Sequence, residues 1–367
     1  MKYIAALMLT SLLGSIAFAQ QEDEYSYEGK FEQLGTTLPS PNEYRTASGA
    51  PAYKYWQQRA DYDIQLELDD DNQTVSGQET ITYHNNAPEP LTYLWLQLDQ
   101  NVRAPDSNTP KVEQSQVRDS LPARIFQQYV MYDNDFDGGF RIGSVTDAGG
   151  EPLDYMINKT MMKVKLPEPL NPGEQFDFSV SWSYQINDRM MDGGRSGYEY
   201  FPEDDNYLYT IAQFYPRMAK YDDVNGWQNK QFLGQGEFAL EFGDYKVAIT
   251  VPEDHIVAAT GELQNPDEVL TATQRERMEQ ARNEFEKPVF IVTEEEAVEN
   301  EKSKAGGKKT WVYEADNVRD FAFASSRKFI WDAMAVQISD KRPMAMSFYP
   351  KEGNPLWEKE STLAVKN

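Results

Sequence analysis

The chain has few residues able to do acid–base or metal chemistry. It contains no cysteine and two histidines, His84 and His255. A thiol nucleophile, a disulfide and a cysteine-ligated zinc are therefore excluded. His84 precedes Asn85 and His255 precedes Ile256, so neither opens the H-E-x-x-H pattern in which two histidines four apart share one helix face around zinc. A serine triad would need one of these two histidines, and the chain has no G-x-S-x-G elbow. Both histidines read as structural or merely exposed. Asp133-Asn134-Asp135-Phe136-Asp137-Gly138 has the spacing that opens a calcium loop, but Ser144 stands where the bidentate Glu is required. It reads as an acidic turn entering a hairpin, and Asp69-Asp70-Asp71 reads as the same kind of turn. Catalytic and metal-ligating residues are thus expected to be absent from this chain.

One stretch is chemically dense. Residues 207–227 combine Tyr207, Tyr209, Phe214, Tyr215, Tyr221 and Trp227 with Pro216, Arg217, Asp222 and Asp223. They predict a packed, irregular crossing between sheets. Gln213 lies inside it and can both donate and accept hydrogen bonds. Two readings stand: Gln213 faces a substrate cleft, or it satisfies backbone groups within the aromatic crossing.

The elements that would position these residues follow from periodicity. Residues 62–68 and 75–83 alternate apolar and polar around Asp69-Asp70-Asp71-Asn72, the pattern of a β-hairpin. Residues 91–98 predict a strand buried on both faces. Strands are also expected over 140–145, 161–166, 176–186, 238–251, 257–263, 289–292, 311–313 and 345–349, with Gly and Pro turn chemistry between several of them. Residues 266–286 predict a solvent-facing helix, 294–309 an exposed loop, and 357–367 the start of a helix. The fold expected from this pattern is mainly β, an antiparallel β-sandwich or saddle-like set of sheets, with a helix and loop at about 266–309.

Composition and targeting bound the function. The 367 residues allow two or three domains, and a hydrophobic content of 40% supplies real cores. A formal net charge of −25 opposes binding to nucleic acid or anionic lipid. Met1-Lys2, an apolar run over 4–16 and Ala17-Phe18-Ala19 form a secretory signal peptide with cleavage after Ala19. The run is too short to span a bilayer, and no later segment approaches that length. Residues 20–54 read as an N-terminal tail. A periplasmic or secreted location is expected.

The order of several motifs resembles the N-terminal part of the aminopeptidase N family of zinc exopeptidases. The likeness covers Tyr62-Asp63-Ile64-Gln65-Leu66-Glu67-Leu68 with Gly77, Leu166-Pro167-Glu168-Pro169-Leu170-Asn171-Pro172-Gly173-Glu174, and Ala212-Gln213-Phe214-Tyr215-Pro216-Arg217. It continues through Tyr221-Asp222-Asp223, Gly226-Trp227, Tyr245-Lys246-Val247-Ala248-Ile249-Thr250-Val251-Pro252, Ala258-Ala259-Thr260-Gly261 and Asp320-Phe321-Ala322-Phe323-Ala324-Ser325. The resemblance implies a saddle-like β domain over 55–340, with 341–367 entering a thermolysin-like α/β catalytic domain. The family's G-x-M-E-N and H-E-x-x-H motifs do not occur in the sequence, so this chain is expected to be a truncated, inactive portion, zinc belonging to the full-length enzyme. The resemblance also implies that Gln213 reaches the free α-amine of a peptide substrate. The competing expectation is a stand-alone β-sandwich module that binds carbohydrate or peptide through surface aromatics such as Trp182, Tyr198 and Tyr200.

Overall fold

The computed structural model describes residues 41–112, 120, 122–123, 136–192, 194, 196–236, 239–358 and 360–366. The signal-peptide expectation and Asp133, Asn134 and Asp135 of the acidic turn lie outside them. The chain divides into two units at Tyr55 and Trp56, and of the first the structure describes residues 41–55. In the first, Asn42 Oδ1 accepts from the backbone N–H groups of Tyr44 and Arg45, both at 2.8 Å, holding a polar turn.

The second unit begins with the expected hairpin, β1 (Arg59–Asp69) and β2 (Thr74–His84). Its alternation is real: Ile64, Leu66 and Leu68 point inward while Asp63, Gln65 and Glu67 do not. Asp69 Oδ1 accepts from the N–H groups of Asp71 and Asn72 at 3.0 and 3.1 Å, and Gln73 at φ 49° turns the chain back. The strands that follow are β3 (Leu91–Gln97), β4 (Arg141–Asp147), β5 (Tyr155–Asn158), β6 (Met161–Leu170), β7 (Gln175–Gln185), β8 (Gly197–Phe201) and β9 (Asn206–Ile211). Three two-residue strands come next, β10 (Arg217–Met218), β11 (Tyr221–Asp222) and β12 (Gly226–Trp227). The series ends with β13 (Gly243–Pro252), β14 (Ile256–Ala259), β15 (Glu262–Leu263), β16 (Val289–Val292), β17 (Lys308–Val318), β18 (Phe323–Ser326), β19 (Ile330–Ala335) and β20 (Met344–Tyr349).

The fold is mainly β, with several sheets. The largest has the order β15-β17-β13-β1-β2-β7-β4 and is antiparallel except where β1 runs parallel to β13. That pair sets Tyr62 beside Tyr245, whose rings stack at 4.6 Å. Smaller sheets have the orders β10-β3-β6-β5, β14-β18-β9-β8 and β16-β19-β20. Ile64, Val75, Ile81, Phe178, Val247 and Ile249 of the large sheet join Leu94, Leu96, Met162 and Val164 of the second in one buried cluster. Each such side chain contributes roughly 1.5–3 kcal/mol by leaving water.

Several expectations need correction. β3 is less buried than expected: Leu91, Leu94, Leu96 and Gln97 are buried, whereas Thr92 is exposed and Tyr93 and Trp95 are half-buried. Residues 257–263 form two strands in different sheets, separated at Gly261, whose φ of +92° and close approach to the Glu314 carbonyl exclude a side chain. The helical stretch is two helices, Pro266–Val269 and Ala272–Ala281, broken by Thr271, which caps the second with Gln274. It is not wholly solvent-facing, because Val269, Leu270 and Ala281 enter the core. The loop expected over 294–309 instead opens with the helix Glu294–Glu301, capped by Thr293 and Glu296, and closes on the start of β17. Glu294, Glu295 and Glu296 occupy its first turn, where carboxylates oppose the positive helix end.

Candidate functional site

Beyond β9 the chain leaves its sheet through Ala212 and Gln213. Gln213 has φ 55°, a left-handed conformation costly for a residue with a β-carbon. Two side chains hold this turn. Gln100 Nε2 donates to the carbonyls of Ala212 and Gln213 at 3.3 and 3.0 Å. Ser196 Oγ stands 3.2 Å from both the N–H and the carbonyl of Ala212. The next two residues plunge inward: Phe214 packs edge-on to Phe321 and Phe323, and Tyr215 lies against Tyr62 and Tyr245. The flip leaves Gln213 half-buried, and its side-chain amide has no hydrogen-bond partner among the described residues. The amide therefore does not serve the backbone of the aromatic crossing. It lines a cleft of ≈ 700 Å³ together with Val102, Arg103, Phe232, Leu240, Arg319 and Asp320.

Arg217 underpins this wall. It is buried, and its Nε and Nη2 donate to Asp99 Oδ2 at 3.0 and 2.5 Å. Its Nη1 makes a short bond to Asp320 Oδ2. Tyr215 donates to Asp320 Oδ1 at 2.9 Å, and burial pushes the Tyr215 hydroxyl well above its ordinary range, which keeps it a donor. Burial also raises Asp99, against the opposing charge of Arg217. Asp99 and Gln100 share one 3₁₀ turn, Asp99–Arg103, so a single short element anchors both Arg217 and the backbone of Gln213.

The histidines occupy other places. His84 Nε2 lies 2.9 Å from Asp61 Oδ2 at the edge of the hairpin. His255 is fully buried, with Nδ1 2.8 Å from Ser325 Oγ and Nε2 3.8 Å from Asp70 Oδ2. These are the residue types of a serine triad, brought together from three strands or turns that the sequence separates widely. Ser325 and His255 are both 0% exposed, so no substrate reaches them. Asp70 is instead tied to Arg327 at 2.8 Å and to the Tyr209 hydroxyl at 2.7 Å, and burial pulls His255 down to about 4. The constellation is a neutral imidazole in a core ion network.

The donors present do not fit a catalytic zinc. Among the described residues, the group of acids close enough to share an ion is Asp204, Glu301 and Glu352. The buried Lys328 ammonium already lies 2.6, 2.8 and 3.0 Å from these three carboxylates, and Lys351 binds all three as well. The two ammonium groups hold Asp204 down to about 2. This cluster is a cation site whose cations are lysines.

Of the surface aromatics expected for a binding module, Trp182 is buried, 3% exposed, and stacks with Tyr184. It faces inward because β7 alternates, and its register places it opposite Gly77, where an added β-carbon would collide with the indole. Tyr198 and Tyr200 pack on Tyr207, and only Tyr200 is substantially exposed. The Arg217 network and Arg319 were not legible as site residues, because Arg217 meets Asp99 and Asp320 across separations of 118 and 103 residues.

No family model and no curated protein matches the chain. Solved structures similar to it include a mutant M1 zinc metallopeptidase from Deinococcus radiodurans bound to a Tyr-Ser-Ala substrate, at 15% identity and TM-score 0.44, over 84% of this chain and 52% of that one. A two-domain M1 zinc metallopeptidase mutant bound to L-tryptophan is similar at 14% identity and TM-score 0.44, over 86% and 54%. The M1 zinc metallopeptidase from Deinococcus radiodurans is similar at 13% identity and TM-score 0.43, over 86% and 53%. The chain spans about half the length of these structures.

Proposed function

We propose that the chain is the N-terminal portion of an exported zinc metallo-aminopeptidase, and that its part in the reaction is to present Gln213 to the free α-amine of a peptide. The carbonyl oxygen of the Gln213 amide accepts a hydrogen bond from the ammonium group and fixes where the peptide begins. Zinc chemistry belongs to a segment bearing the H-E-x-x-H motif, so this chain by itself binds peptide N-termini and does not cleave them. The N-terminal sequence through Ala19 directs export to a periplasmic or extracellular space, and residues 341–367 lead toward the catalytic domain.

The observation that carries this reading is the Gln213 turn. A left-handed glutamine held by Gln100 and Ser196, with its own amide unpartnered in a cleft, is strain spent on display. The ordered motifs from Tyr62 to Ser325 support it independently. No helix among the described residues is long and apolar enough to cross a bilayer.

Binding of Ala-Ala-Ala amide, set beside its N-acetyl form, tests the reading. A charge-assisted hydrogen bond contributes roughly 1.5–3 kcal/mol, so acetylation should weaken binding about tenfold or more. Gln213→Ala should bring the two peptides to equal, weak affinity. In a chain that includes the zinc motif, the same substitution should lower kcat/KM by about tenfold or more. Equal affinity of the wild-type chain for both peptides would sink the proposal.

A further inference from the structure

The cleft holds a second group placed for recognition. The Arg319 guanidinium sits 4.4 Å over the ring of the half-buried Phe242, which fixes its position at the cleft wall. Among the described residues Arg319 makes no ion pair, in a chain that carries 60 acidic against 35 basic side chains. The neighbouring Asp320 makes no ion pair with it; the Asp320 oxygens are turned to Arg217 and Tyr215. Arg103, the other cation on the wall beside the buried Arg217, donates to Gln100 Oε1 at 3.1 Å. An exposed guanidinium fork without a protein acceptor among the described residues therefore shares one cleft of ≈ 700 Å³ with Gln213, whose amide also has none.

We infer that Arg319 is a carboxylate ligand, and that the peptides taken by this cleft carry a carboxylate as well as a free α-amine. The inference rests on the amine-binding reading of Gln213 and narrows it to a substrate class. The guanidinium geometry suits bidentate recognition of a planar carboxylate. That carboxylate comes either from the C-terminus of a short peptide or from an acidic side chain. Bulk screening limits an exposed pair of this kind, so the expected gain is a few-fold and falls with salt.

The test titrates the whole chain with Ala-Ala-Ala, Ala-Ala-Ala amide, Ala-Asp-Ala amide and the N-acetyl form of each. At low salt the peptide bearing the recognised carboxylate, Ala-Ala-Ala or Ala-Asp-Ala amide, should bind roughly fivefold more tightly than Ala-Ala-Ala amide. That preference should vanish in Arg319→Gln, persist in part in Arg319→Lys, and shrink at about 0.5 M NaCl. The loss on N-acetylation should be the same in Arg319→Gln as in the wild type, with an unchanged melting temperature. A gain over Ala-Ala-Ala amide confined to Ala-Asp-Ala amide assigns the side-chain carboxylate, and one confined to the free acid assigns the C-terminus. Equal binding of Ala-Ala-Ala, Ala-Ala-Ala amide and Ala-Asp-Ala amide, with acetylation still harmful, overturns the role of Arg319 alone. Equal binding of free and acetylated peptides overturns the Gln213 reading and this inference with it.

Discussion

Two regions of this molecule carry residue types associated with catalysis, and they differ in what surrounds those residues. Around Ser325, His255 and Asp70, charges and polar atoms are enclosed and largely satisfied by each other, by Arg327 and by Tyr209. Around Gln213, the backbone is clamped while the functional amide is left unmatched at a cleft. The first arrangement stabilises the fold; the second holds a strained residue available to a ligand. Residue type alone would favour the triad, although no sequence motif marks it. Burial and the count of vacant hydrogen-bonding positions favour the glutamine.

The largest effect should come from breaking the enclosed region. Arg327→Ala leaves Asp70 and Asp254 without their shared cation and should destabilise the chain by about 3–5 kcal/mol in urea unfolding, with peptide affinity of the folded fraction unchanged. Next is the acid response. Because burial lowers His255 from its ordinary value of 6.5 to about 4, its contribution is fully present above pH 6.5 and is lost as pH falls through that interval, amounting to roughly 3 kcal/mol. A stability–pH curve should lose that slope in His255→Phe. The buried Glu79, which has no hydrogen-bond partner for either oxygen, should act in the opposite sense. Burial raises its carboxyl well above the usual range, so the folded chain keeps a proton that the unfolded chain releases, and stability falls as pH rises above about 4.5. Glu79→Gln should raise the urea midpoint at pH 8 and leave it unchanged at pH 4. The smallest stability effect belongs to the cleft. Gln213→Gly removes left-handed strain and should change stability by no more than about 1 kcal/mol, in the stabilising direction, while abolishing discrimination between free and acetylated peptides.

The parts of the fold that sequence exposes are those with one wet face. β1, β2 and β7 alternate because half their side chains meet solvent, and their positions follow from that alternation. β19 is buried at all six positions, so no period-two signal marks it; β18 reads no better, since Ser325 and Ser326 are as buried as its phenylalanine. The helix Glu294–Glu301 was hidden by its charge, although Thr293 and Glu296 carried a legible capping signal. Gln213 was legible only through its motif context. The features that make it distinctive, the Gln100 clamp and the Arg217–Asp320 support, join residues more than a hundred positions apart. Such pairings leave no local pattern, which is also why Arg319 emerges only from the folded cleft.

The central claim is that Gln213 displays its amide for a peptide amine, and the side-chain resonances of Gln213 report on it directly. Their assignment comes from the cross-peaks missing in Gln213→Ala. On titration with Ala-Ala-Ala amide, the Gln213 side-chain N–H pair should shift progressively and saturate, and the N-acetyl peptide at the same concentrations should leave it in place. A Gln213 signal that moves equally with both peptides, or with neither while other residues respond, would contradict the account.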